Sequence, residues 1–399
     1  MLDLLAFIFL GVLLGTFTGL VPGIHVNTVV IVVIALLPAL LESFTPYSVI
    51  ALVIAMSLVH SYVDYIPSIF LGAPQEDSVL SVLPGHRLLL KGRGYEAVRL
   101  TVVGGLGATV MGLLMLLAGI MVLPAVYPYV RAAVPYLLIA LLFYIVWMQN
   151  RGRQLYAALA VLYSGLLGIL ILDRGIISLK YALFPALTGL FGVSTLLTSL
   201  RTNASIPPQT LEWEPVRYGK GVLAGSFAGA LAGLLPSIGS SQSATLIQGL
   251  FGGGDEKEFL IALGGVNTAN SIYAFLALYL IGRARSGASI AVKEIMDVLS
   301  PADLLFMVSV VLFTTFFAVF ITLELAKMGA LFVQSLDYRS FSLVIIAFLT
   351  LLVDLLTGWR GLLILATASA IGLFVQEAGV NRSTSMAVLI VPTIIYFLG

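Results

Sequence analysis

Long apolar runs and short polar joints alternate along the whole chain. The runs are continuous, rich in Leu, Ala, Val and Ile, and lack the period-two alternation of barrel strands. A hydrocarbon core of about 30 Å needs ~20 apolar residues as helix, and backbone groups in lipid must be bonded internally. The pattern predicts helices near 2–20, 26–41, 47–71, 97–124, 135–149, 154–172, 181–200, 219–235, 240–251, 258–281, 303–326, 341–357, 361–376 and 384–398. Several are too short to cross alone, so broken or re-entrant helices are expected. Residues 1–11 hold Asp3 and no base, unlike the start of a signal peptide. The fold class is an all-α integral membrane protein, a polytopic helical bundle.

Composition narrows the function. Of 399 residues 60% are hydrophobic and 10% charged, where a soluble domain carries about a quarter charged. A soluble enzyme, a disordered chain and a nucleic-acid binder are poorly supported. Lys and Arg number 20 against 19 Asp and Glu, so no global charge draws the chain to nucleic acid. Without cysteine there are no disulfides, thiolate metal sites or Cys nucleophiles. His25, His60 and His86 do not form a metal-ligand spacing. The expected location is the cell membrane, as a multi-pass protein among lipids.

The chain carries an internal echo. Gly11, Gly15, Gly19, Pro22 and Ile24 recur 214 positions later as Gly225, Gly229, Gly233, Pro236 and Ile238. Gly72-Ala73 is echoed by Gly287-Ala288 at 215. Glycine stripes alone could be two independent packing faces; the shared Pro-x-Ile break favours a repeat. The polar stretch 201–220 then divides a first repeat with additional helices (1–200) from a second (221–399). Basic residues set orientation. With residues 84–99 inside, Arg87, Lys91, Arg93, Arg99, Arg151, Arg153, Arg201, Arg217, Lys220, Lys257, Lys327, Arg339 and Arg382 fall on the inner side. Equivalent segments then enter from opposite faces, giving two inverted repeats. Inverted repeats with broken helices are a secondary-transporter architecture, with the site where the repeats meet.

The breaks hold the candidate substrate residues. In the first, Pro22 stops a helix, Gly23 permits positive φ, His25 follows, and Asn27 or Thr28 can cap the next segment. In the second, Ser237, Gly239, Ser240, Ser241 and Gln242 form a polar run that is costly in hydrocarbon unless paired or wet. Two helix starts facing one spot would hold an anion on free N–H groups; the plain alternative is a kink whose serines cap their own backbone. His60 and Asp64 stand at i and i+4 inside an apolar run. They read either as a structural pair or as a coupling-ion or charge-relay site. Asn267 and Asn270 occupy the corresponding stretch of the second half. Arg283 and Arg285 break the positive-inside pattern and suit either an anion contact or lipid headgroups. Gly252-Gly253-Gly254-Asp255 matches the Gly-x-Gly-Asp of intramembrane aspartyl proteases, but no Tyr-Asp partner appears, and the chain reads as no enzyme.

These residues carry a likeness. The chain resembles the large membrane subunit of the tripartite tricarboxylate transporters in its compact archaeal form. The likeness rests on Gly19 through Thr28, Leu71 through Pro74, Pro84-Gly85-His86-Arg87, Lys91 through Ala97, Pro185 through Ser194, and the Asn267/Asn270 stretch. It departs at Pro236-Ser237, where the family has Pro-Gly, and in a loosened Asn-Asn pattern at 264–270. The resemblance implies a small membrane subunit and a binding protein as accessories. The reading is a secondary transporter of a di- or tricarboxylate-like anion, working by alternating access, with Na⁺ or H⁺ as coupling cation and no other cofactor. A homodimer is compatible with it. The alternative is a translocase of a polyprenyl-phosphate lipid, whose Pro-Gly-Ile turn is similar.

Overall fold

The computed structural model describes residues 2–22, 26–73, 77–172, 174–201, 206–234, 239–248, 256–284, 286–334 and 337–398. Among them there is no strand, and eight helical stretches are long and apolar enough to cross a membrane. The protein is an all-α polytopic membrane protein.

The first unit consists of α1 (Leu2–Leu20), α2 (Val26–Ser43), α3 (Pro46–Val63), α4 (Tyr65–Phe70) and α5 (Val82–Leu90), followed by α6 (Gly94–Trp147). Then come α7 (Gln154–Leu172), α8 (Leu179–Leu187), a π-helical turn at Thr188–Val193, and α9 (Ser194–Arg201). The second unit holds α10 (Gly219–Leu234), α11 (Ser240–Gln248), α12 (Glu256–Ile281), α13 (Gly287–Ile295) and α14 (Pro301–Val333). The chain closes with α15 (Tyr338–Glu377), a 3₁₀ turn at Arg382–Met386, and α16 (Ala387–Leu398).

The glycine stripes decide the packing. A side chain on Gly11 or Gly15 would strike the carbonyl oxygen of Leu52 or Met56; one on Gly225 or Gly229 would strike that of Ala262 or Val266. Gly19 meets Val63 and the amide of Asp64, while Gly233 meets Tyr273 and the amide of Ala274. The glycines stand 214 apart and all their partners 210 apart, so α1 lies on α3 in the register in which α10 lies on α12. In each pair the helices run parallel, and the backbones approach as closely as small residues allow. Between the units the sense reverses. Asn267 of α12 donates to the Ser61 carbonyl (3.1 Å), and the Tyr65 hydroxyl donates to the Leu263 carbonyl (2.7 Å), so α3 and α12 are antiparallel.

Each unit lends its last helix to the other. α6 packs along α12, and α14 along α3. The helix starts fasten this exchange. Tyr47, second residue of α3, donates to Asp303, third residue of α14, at 2.7 Å. Lys257, second residue of α12, donates to Glu96, third residue of α6, at 2.6 Å. The two contacts lie at opposite ends of the antiparallel pair. Asp303 also closes a capping box with Ser300, and Glu96, fully buried, gains Arg93 at 3.1 Å and the Glu214 amide at 3.2 Å.

Three expectations change. The helices at 97–124 and 135–149 are one continuous 54-residue element. At 1.5 Å per residue it is about 80 Å long, far more than a ~30 Å hydrocarbon core, and its apolar windows are Gly94–Leu116 and Ala132–Trp147. The short helices α5 and α13 were not expected. Finally, Gly282, 210 positions after Gly72, shares its left-handed conformation past a helix end (φ 61° and 62°), whereas Gly287 opens α13. The expected interruption near 357–361 is present as Gly358, with φ 64° inside α15.

Candidate functional site

The centre of the molecule is polar. Asp64 sits at the joint of α3 and α4, fully buried, because the α3 ladder ends there with its amide bonded to the His60 carbonyl (3.0 Å). Asn267 of α12 directs its amide N–H to the carboxylate, 3.3 and 3.4 Å from the two oxygens. The Ser78 hydroxyl bonds the same carboxylate and lies 2.7 Å from Ser68, whose own hydroxyl is 3.0 Å from the Asp64 carbonyl. Asp77 is near enough to act on Asp64 electrostatically, and no base is among the groups that do. Among the described residues, a buried carboxylate with a half-buried one near it, an amide and hydroxyls form an arrangement suited to a proton or a small cation.

Tyr62 ties this centre together. Its hydroxyl bonds Thr109 of α6, Thr268 of α12 and Thr315 of α14, so one side chain of α3 touches all three other central helices. A change in any crossing is felt at Tyr62, two residues from Asp64.

His60 and Asp64 share a helix face but look to different partners. His60 Nδ1 is 3.0 Å from the Thr18 hydroxyl, at the end of α1. In the second unit Asn270 makes the matching link, donating to Ser240 Oγ of α11 at 3.0 Å. His60 and Asn270 are 210 positions apart, as are the glycine partners. Gln242 turns back to accept from the Gly239 amide (2.9 Å). Ser240, Ser241 and Gln242 are buried on α11.

α1 ends at Leu20 and α2 begins at Val26, while α10 ends at Leu234 and α11 begins at Ser240; Pro236, expected to break the second pair, lies outside the described residues. Gly23, His25 and Ser237 lie outside the described residues, as do the side chains of Asn27 and Thr28, whose backbone opens α2. Arg283 is exposed beyond the end of α12, apart from the buried cluster, and Arg285 lies outside the described residues. The Gly252–Asp255 motif lies there too. Tyr62 and Ser78 escaped sequence reading. Tyr62 is one aromatic among 16 tyrosines, and Ser78 reaches Asp64 only through a turn of the chain after Gly72.

A bundle of broken helices around a buried acidic centre defines a polytopic membrane transporter. A family model described as the tripartite tricarboxylate transporter TctA family matches residues 5–387, and the chain belongs to that family, which is one of transporters and not of enzymes. It is also 30% identical over 410 aligned positions, covering all of both chains, to the uncharacterized protein MJ1079 of Methanocaldococcus jannaschii. No solved structure matches.

Proposed function

We propose that this chain is the principal membrane subunit of a cation-coupled carrier of tricarboxylate-like anions in the cell membrane. It works by alternating access between two inverted repeats, residues 1–200 and 221–399, joined by 201–220. A small membrane subunit and a binding protein assist it, as the word tripartite in the family name implies. The Asp64–Asn267 contact carries the reading. It joins the two units where α3 and α12 cross in opposite senses, so protonation or cation occupancy at Asp64 alters the contact that a rocking motion would change. The equal register of α1 on α3 and α10 on α12 supports the repeat, and the antiparallel crossing supports its inversion. The breaks before α2 and α11 supply helix starts for the anion.

Purified protein in proteoliposomes, with its accessory components supplied, should take up citrate when a Na⁺ or H⁺ gradient is imposed. Asp64→Asn should fold but lose the dependence on that gradient. Citrate uptake by wild type that ignores both gradients, or gradient-driven uptake unchanged in Asp64→Asn, would return Asp64 to a structural role.

A further inference from the structure

Among the described residues, one buried cation has no anion. Arg382 lies on the 3₁₀ turn between α15 and α16 and is only 9% exposed. Its Nη1 donates to the Thr195 hydroxyl at 2.6 Å. Among the described residues no carboxylate pairs with it, and the charge acting on it is the like charge of Arg87. A guanidinium holds its proton at any ordinary pH and offers five N–H donors in a planar fork. The bond to Thr195 leaves four of the five without a partner among the described residues. A buried charge left without a counter-charge is one of the costliest arrangements a protein holds.

The turn itself is built firmly. The Asn381 side chain accepts from the Ser383 amide (3.2 Å), the Asn381 amide is held by Gln149 (3.0 Å), and Arg153 grips the Gly379 carbonyl (2.8 Å). The wall opposite is unusual in kind. Thr195 follows a π-helical turn, a geometry that often marks functional positions in helices. Within that turn the Thr188 hydroxyl is fully buried and has no partner. α11 packs on the Arg382 turn and carries Ser243, whose hydroxyl is likewise fully buried and unpartnered. Two sequence stretches that the acidic centre leaves unused, Pro185–Ser194 and Pro84–Arg87, converge on this place, since His86 also feels the Arg382 charge.

We propose that Arg382 is the carboxylate receptor of the carrier: its unused N–H groups take one carboxylate of the transported anion at the meeting of the π-helical turn, the Arg382–Met386 turn and α11. The proposal rests on the anion-transport reading and names the side chain behind it. α11 touches both the Arg382 turn and the Val79–Ser81 turn beside Ser78, so the anion site and the acidic centre are linked by one short helix.

The test uses purified full-length protein, citrate as probe, and calorimetry together with thermal unfolding. Wild type should bind citrate and gain thermal stability from it. Arg382→Gln should bind about ten- to hundredfold more weakly, the usual loss for a hydrogen bond to a charged group. It should also unfold no earlier than wild type without citrate, because a buried charge has been removed. Arg382→Lys keeps the charge but loses the fork and should bind at an intermediate level. Thr195→Val offers a milder variant that leaves the guanidinium in place and should alter citrate affinity less than Arg382→Gln. If wild type binds citrate and Arg382→Gln binds it equally well, the assignment of Arg382 is wrong while anion transport stands. If wild type binds no carboxylate, the transport reading fails first. If inorganic phosphate or phosphatidic acid vesicles displace citrate from wild type at lower concentration than tricarballylate does, a phosphate receptor replaces the carboxylate one.

Discussion

At the scale of single residues, the most informative charges are those that join distant parts of the chain. Glu214, on the polar connecting stretch, accepts from Lys257 at 2.7 Å and pairs with Arg93. The hydrogen bond from Lys257, then that from Arg93, hold its carboxyl below the usual glutamate range. A depressed carboxylate contributes stability above its unfolded pKa, near 4.3, and loses it as pH falls through the lower folded value. Thermal unfolding in detergent should therefore show Glu214→Gln less stable than wild type at pH 7, with the gap closing as pH drops below about 4. A gap that persists unchanged at pH 3.5 would show that the ion pair contributes nothing. The same cluster explains why the 201–220 stretch, which reads as a plain boundary in sequence, is pinned to the starts of α6 and α12.

At the scale of elements, glycine sets which helices touch. Between α6 and α12 the backbones meet at Gly104 and Gly264: a Cβ on the first would strike the Ile261 carbonyl and on the second the Thr101 carbonyl. Backbone has nowhere to retreat, so Gly264→Ala should cost at least the 1–3 kcal/mol typical of overpacking, expressed as about that range or more. Gly219→Ala, with open space around its position, should be neutral within about 0.5 kcal/mol. Thermal melts of the two variants in the same detergent separate the cases; equal melts would mean that α6 slides freely on α12. Sequence showed the stripes of α1 and α10, though not Gly104 and Gly264, because glycine spacing survives as a pattern. It showed the breaks for the same reason, through Pro22 and Pro236. It missed α5 and α13, each nine residues, because helices this short lack a long apolar run. It also split α6, because prolines at 124, 128 and 135 look like an interruption that the helix absorbs. Within the candidate site, Asp64 was legible as a carboxylate in an apolar run, and Asn267 as an amide in another. Their contact was not, because it depends on the antiparallel crossing. Arg382 was hidden by the opposite effect: among basic residues counted toward one face, a buried one looks like the exposed ones.

At the scale of the whole molecule, the chain places its faces in a testable order. It has no cysteine, so each introduced cysteine reports without background. Leu2 and Val298 are 83% and 85% exposed; α1 runs parallel to α3, and Val298 precedes the α14 start that Tyr47 grips, so both lie at one end, which the placement of basic residues expects to be outside. Lys91 and Arg201 are exposed near the basic end. In intact cells a membrane-impermeant maleimide should label Leu2→Cys and Val298→Cys, and should reach Lys91→Cys and Arg201→Cys only after permeabilisation. Labelling of all four from one side would remove the opposed entry of the two units.

The exchanged helices have a further effect. At one end the clasp is a hydrogen bond from a phenol, Tyr47 to Asp303, with the Tyr47 ring edge-on to Phe306. At the other it is a knot of two bases and two acids around the sunken Glu96. Surface pairs are weak, but separating a buried carboxylate from its partners is costly. The exchange is therefore lightly fastened at the Tyr47 end and heavily fastened at the Glu96 end. In a carrier of the kind proposed, the Tyr47 end would part first and the Glu96 end would need the greater push.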